Sequence, residues 1–136
     1  MKKIAFIIIT AATVVLPLLM QADWGKQSFT STLNVDSDHI TKLKFSIANT
    51  SHYKTTRNHK KIQELLDYMN TKEYEKIKGE PANLPMSGSM IYLYENKKVD
   101  YIVVFGGKIL VSQQFYEVKK TPFDMNDLKV FFRSVE

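Results

Sequence analysis

The 136-residue chain contains no cysteine. That excludes disulfides, thiol nucleophiles and cysteine-ligated metals, and with them a lipid-modified cysteine at the end of a leader. Histidine is scarce as well. His39, His52 and His59 are the only three, and none falls in a His-Glu-x-x-His helix pattern. His52 and His59 lie in or beside one polar loop, where exposed side chains are the better reading than metal ligands. Four of the five glycines mark just two places, 79–88 and 106–107. Ser87-Gly88-Ser89 lacks the Gly-x-Ser-x-Gly elbow of a serine hydrolase. Gly106-Gly107 is too short to cradle a phosphate and reads as a hairpin turn. Asp36-Ser37-Asp38 begins like a calcium loop but lacks its glycine and closing glutamate, so it reads as an Asx turn. Carboxylates pair only as surface neighbours, such as Glu73 and Glu75. The residues thus announce no enzyme, no cofactor and no metal site.

The one long apolar run is at the start. Lys2-Lys3 precede a stretch from Ile4 to Met20, with Pro17 near its end and Gln21-Ala22 as a cleavage edge. This is the three-part pattern of a secretory signal peptide over residues 1–22. Met20 stands where a small residue is preferred, so an uncleaved membrane anchor is the competing reading, at the short limit for a spanning helix. Membrane contact is expected only through this leader, if it stays attached. The expected location is outside the cytoplasmic membrane, secreted or in the cell envelope. The formal charge of +5 falls to +3 once Lys2 and Lys3 are removed. That is a mildly basic surface and gives no case for nucleic acid.

Residues 23–39 read as a polar linker and entry segment, with Trp24 and Phe29 embedded. The single domain is expected over 40–136. Ile40 to Ala48 alternates Leu43, Phe45 and Ile47 with Lys42, Lys44 and Ser46, the period of a half-buried strand. Asn49 to Arg57 reads as a polar loop and Asn58 as an N-cap. Ile62, Leu65, Leu66 and Met69 form one helical face, and Asn70-Thr71 end the helix. For Lys72 to Ile77, the three-residue spacing of Tyr74 and Ile77 suits a helical turn better than a strand. A Pro- and Gly-marked loop follows over 79–88.

Four short runs come next: 89–95, 99–105, 108–112 and 115–119. They are rich in β-branched and aromatic residues and separated by hairpin-length connections. They predict an antiparallel meander, with Gly106-Gly107 as a type I′ turn. Asp124 then caps a last helix carrying Leu128, Phe131, Phe132 and Val135, with Phe123 and Leu128 as a hydrophobic staple and Asp127 completing a weak capping box. The fold class is α+β: strand, helix, four-stranded antiparallel meander, C-terminal helix.

These elements resemble small exported domains of unknown function from Gram-positive bacteria. The resemblance rests on the Lys-Lys leader, the strand Ile40-Thr41-Lys42-Leu43-Lys44-Phe45-Ser46-Ile47 and the helix Lys61-Ile62-Gln63-Glu64-Leu65-Leu66-Asp67-Tyr68-Met69. The meander with its late Tyr-Glu-Val strand and the closing helix Phe123-Asp124-Met125-Asn126-Asp127-Leu128 complete it. It implies an exported α+β domain at the cell envelope and supplies no catalytic residues.

Two surfaces are candidate binding sites. The meander carries apolar residues on both faces, so it needs cover on both. If both helices share one face, Tyr92, Tyr94 and Tyr101 form an open aromatic patch suited to a protein partner, an extracellular enzyme to be inhibited, or a second copy. If a helix covers them, they are core. The second surface is the start of the first helix. Lys54, Arg57, His59, Lys60 and Lys61 gather where acids are expected, which suits an anionic wall polymer or a lipid head group. Partner and oligomeric state do not follow from the residues.

Overall fold

The alternation in the first strand persists, but the strand is shorter than its pattern. In the computed structural model, which describes residues 25–135 apart from 51, 82 and 85–87, β1 spans Lys42–Ser46. The leader, Trp24 and Ser87 lie outside the described residues. The remaining strands are β2 Lys54–Thr56, β3 Glu73–Lys76, β4 Ser89–Glu95, β5 Lys98–Val104, β6 Lys108–Val111 and β7 Gln114–Lys119. They form one seven-stranded antiparallel sheet in the order β2-β1-β4-β5-β6-β7-β3. The helices are α1 Phe29–Thr32, α2 His59–Met69 and α3 Met125–Ser134. The α+β class is therefore seen, and the meander β4 to β7 is the middle and one flank of a wider sheet.

Two edge strands depart from expectation. The polar loop 49–57 contains β2, which pairs Thr55 with Lys44 and Lys54 with Phe45. Its three residues are too few for a visible period. Lys72 to Ile77 is not a helical turn but contains β3, which pairs with β7 through Tyr74 and Val118. Tyr74 is fully buried and donates its hydroxyl to the Met69 carbonyl at 2.7 Å. Burial of one large ring outweighs the local three-residue spacing. Gln27 adds a single antiparallel bridge to Tyr74.

The entry segment is more than a linker. Phe29 is completely buried and its ring packs 5.9 Å from that of Tyr74. Val35 and Ile40 also lie in the core. The segment is held by Asp100, a fully buried residue of β5. Its Oδ2 accepts the N–H groups of Asn34 and Val35 at 2.7 and 2.8 Å, and its Oδ1 accepts Asn34 Nδ2 and Ser112 Oγ at 2.9 and 2.8 Å. Four neutral donors satisfy a carboxylate that has no ion pair among the described residues.

Asn58 caps α2 as its sequence predicts, with Oδ1 accepting from the N–H groups of Lys60 and Lys61. Asp124 caps α3 through the Asn126 N–H. The Asp127 carboxylate does not complete the expected capping box among the described residues and instead accepts the Tyr68 hydroxyl at 3.0 Å. At the 106–107 turn only Gly106 has positive φ, at 97°. That is the pattern of a type II′ connection, not I′.

Both long helices lie on one side of the sheet. Their Ile62, Leu65, Leu66, Met69, Leu128 and Phe131 share one core with Leu43, Phe45, Ile91, Leu93, Ile102 and Val104 of the strands. They sit side by side, joined by Tyr68 to Asp127 and by Lys61 Nζ to Ser134 Oγ at 3.0 Å. No helix among the described residues is long and apolar enough to cross a membrane.

Candidate functional site

Because strand side chains alternate, the residues between those core positions project from the other face. In the central strands these are Lys42, Lys44, Met90, Tyr92, Tyr94, Tyr101, Val103 and Leu110, brought into register by Lys42↔Tyr94, Lys44↔Tyr92, Tyr92↔Tyr101 and Val103↔Leu110. No described helix covers them. Of the two readings of the tyrosines, cover by a helix is not seen among the described residues: Tyr92, Tyr94 and Tyr101 are half-buried among their own neighbours.

The three rings form a cluster that includes a fourth. Tyr92 lies 5.0 Å from Tyr101, 6.5 Å from Tyr94 and 6.3 Å from Tyr53, centroid to centroid. These spacings are favourable for tilted and offset aromatic pairs. Tyr53 is 44% exposed and donates its hydroxyl to Met90 Sδ at 3.2 Å. Desolvation raises the pKa of Tyr92 and of Tyr101 above the ordinary 10.0, and neighbouring phenols add to the effect. Both rings therefore remain neutral hydroxyl donors through the physiological range.

Two ammonium groups sit on this cluster. Lys42 Nζ is 4.1 Å from the Tyr94 ring centre, and Lys44 Nζ is 4.8 Å from that of Tyr53 and 5.7 Å from that of Tyr92. These are cation–π distances. Neither lysine has a carboxylate within ion-pair distance among the described residues. The opposite flank differs: Lys119 reaches Glu75 and Glu117 at 3.4 and 3.5 Å, and Lys120 reaches Glu73 at 3.0 Å. Lys42 and Lys44 thus put uncompensated positive charge on the β1 side of the open face, and Lys108 of β6, on the same face as Leu110, also has no carboxylate at ion-pair distance among the described residues.

Beside the cluster runs a groove of about 690 Å³, walled by Met90, Val103, Phe105 and Leu110 with Tyr53 and Tyr101 at the aromatic end. Ser46, Asn49 and Thr50 supply its polar rim. Gly88 forms part of the wall because only a missing side chain fits there. A Cβ would lie 2.7 Å from both Val103 Cγ1 and the Val104 carbonyl oxygen.

The basic residues near α2 do not converge as a free set. Lys54 Nζ donates to the carbonyls of Phe132 and Val135, both at 2.7 Å, at the C-terminal end of α3. A cation at that end is favoured by the helix dipole. Lys61 Nζ is bonded to Glu64 at 3.2 Å and to Ser134. Arg57, His59 and Lys60 remain exposed. The first-turn N–H groups of Lys60 and Lys61 are already taken by Asn58.

Sequence reasoning missed Tyr53, Lys42 and Lys44 as members of the aromatic site. Tyr53 sits in the stretch read as loop, and its position follows from the unseen β2. The lysines were visible as the polar side of β1, and pairing β1 with β4 in register is the signal that places them over tyrosines. Among the described residues, no group of three or more His, Cys, Asp or Glu is placed to hold a metal ion. Comparison with protein-family models, with curated proteins and with solved structures found no match.

Proposed function

We propose that this chain is an exported, non-catalytic binding domain that acts at the cell envelope through its open sheet face. One observation carries the reading: both long helices cover the same side of the sheet, leaving a tyrosine cluster, two unpaired lysines and an adjoining apolar groove on the other. Soluble domains rarely leave contiguous apolar surface of this kind without a use for it. Tyrosine suits such a role because it offers large contact area and a polar tip at low entropic cost. The Lys2-Lys3 start and the apolar run to Met20 support export.

The test is site-specific photo-crosslinking of the full chain in a Gram-positive host. A photoreactive residue replaces Tyr92 on the open face or, as a control, Val130, which is 59% exposed on α3. The proposal expects a discrete adduct from position 92 in the envelope fraction and none from position 130. Equal adducts from both positions, or none from either, would overturn it. N-terminal sequencing of the envelope material tests export separately: a start at Asp23 supports cleavage, whereas intact Met1 confined to the membrane fraction favours the anchor.

A further inference from the structure

We infer that the partner of the open face is an acidic polypeptide segment that also carries a large apolar side chain. This deepens the preceding reading and rests on it. Two features of different chemistry meet at Tyr53. On one side, Lys44 Nζ lies over its ring, with Lys42 Nζ over Tyr94 further along the same strand. On the other side, Tyr53 and Met90 form the lip of the apolar groove.

The charge argument gives the sign. Each lysine is held against aromatic rings, which fixes its position but leaves its charge uncompensated, because a ring quadrupole is no substitute for a carboxylate. The glutamates on the far flank are already engaged by Lys119 and Lys120, so they do not repel an incoming acid strongly. An acidic partner is therefore steered to the open face, where Lys42 and Lys44 together on β1 outweigh the single unpaired Lys108 of β6. The phenols of Tyr92 and Tyr101 add neutral hydroxyl donors on the same side.

The groove gives the class. Its volume falls within the usual range of about 300–1,000 Å³ for binding sites, and its walls are Met90, Val103, Phe105 and Leu110. A polyol phosphate chain has negative charge but nothing apolar to bury there. A peptide places an aspartate or glutamate on Lys42 and Lys44 and a leucine or aromatic side chain in the groove.

The test is selection of a phage-displayed library of random peptides against the purified domain, with synthetic polyglycerol phosphate as a second probe. Nuclear magnetic resonance shift mapping follows for whatever binds. The expected result is enrichment of sequences combining Asp or Glu with Leu, Phe, Tyr or Trp, with shifts confined to the open face. Lys42→Glu with Lys44→Glu should weaken these peptides at least tenfold and, used as bait itself, should enrich basic sequences instead. Leu110→Asn should weaken the same peptides without changing the charge preference. Because these residues are exposed or half-buried, retained circular dichroism and unfolding midpoint distinguish lost binding from lost fold. Enriched peptides without acids, or without large apolar residues, would overturn the inference. Binding of polyglycerol phosphate at this face with no peptide enrichment would overturn it too, while leaving the face as a binding surface. Shifts on the helix-covered side alone would overturn both.

Discussion

Replacing Asp100 by alanine should be one of the most damaging single changes in the domain. The residue is fully buried, and both oxygens together accept four hydrogen bonds. Its loss does not affect the four donors equally. Asn34 is exposed, so its two N–H groups can turn to water, and the Ser112 hydroxyl can rotate. The Val35 N–H belongs to a residue only 4% exposed and is left without a partner, at a cost of about 1–3 kcal/mol. Loss of the charge-assisted bonds and incomplete collapse add about 1–2 kcal/mol, partly offset by no longer burying a carboxylate. The net is about 2–4 kcal/mol, against a total of about 5–15 kcal/mol for a domain. Asp100→Asn should cost about half as much. Its Oδ1 can keep the Asn34 and Val35 N–H groups, while its amide donates to the Ser112 hydroxyl and a flipped Asn34 side chain. Urea unfolding reads this as a midpoint shift of about 1–2 M for alanine, taking a slope of about 2 kcal/mol/M. Amide hydrogen exchange at Val35 should quicken in step. A shift under about 0.3 M for Asp100→Ala, or an order in which Asn is worse than Ala, would refute the reasoning built on these donors.

Other consequences are simpler to state. Leu65→Ala, at 2% exposure in the face that α2 turns to the core, should cost about 2–5 kcal/mol in equilibrium unfolding, whereas Val130→Ala should stay within about 0.5 kcal/mol. Lys54→Met removes the ammonium from the Phe132 and Val135 carbonyls. It should destabilise by about 1–2 kcal/mol at low salt and by less at high salt, as a charge at a helix end does. Gly106→Ala should cost about 1–2 kcal/mol, because φ of 97° strains any residue with a Cβ. The exposed pair His39–Asp36, 2.7 Å apart, sets a pH window. The hydrogen bond to Asp36, then its charge, raises His39 above 6.5, so its contribution is complete below pH 6.5 and disappears as pH climbs through the higher folded value. The Asp38 N–H, then His39, lowers Asp36 below 3.8, so its share holds above pH 3.8 and is lost as pH falls through the lower folded value. Nuclear magnetic resonance titration of His39 should give a value above 6.5 in the parent and a lower one in Asp36→Asn.

What the sequence made legible follows from how each element is stabilised. The helices α2 and α3 and the strands β4 to β7 carry their own period, cap or turn, so local pattern suffices: Asn58 and Asp124 cap where expected, and the two faces of β4 and β5 divide as their alternation predicts. The edge strands β2 and β3 were not legible, because their reason for being extended lies in partners distant in sequence, Phe45 for Lys54 and Val118 for Tyr74. Phe29, in a polar stretch, becomes core only once Tyr74 is placed beside it. The candidate site was half legible for the same reason. Tyr92, Tyr94 and Tyr101 share a face by alternation alone. Whether that face is open depends on both helices choosing the other side, and that choice is made by packing across the whole core.

The most direct test of the open face is hydroxyl-radical footprinting of tyrosines, mapped by mass spectrometry, on the purified domain and on the chain in the envelope fraction of a host carrying the proposed partner. Tyr53, Tyr92, Tyr94 and Tyr101 should react in the purified domain while Tyr74, fully buried, does not. In the envelope the same four should become protected and the exposed helix side should stay unchanged, as read by carboxyl labelling of Glu64. Unreactive Tyr92, Tyr94 and Tyr101 in the purified domain, or reactivity identical in the two settings, would contradict an open face that a partner covers.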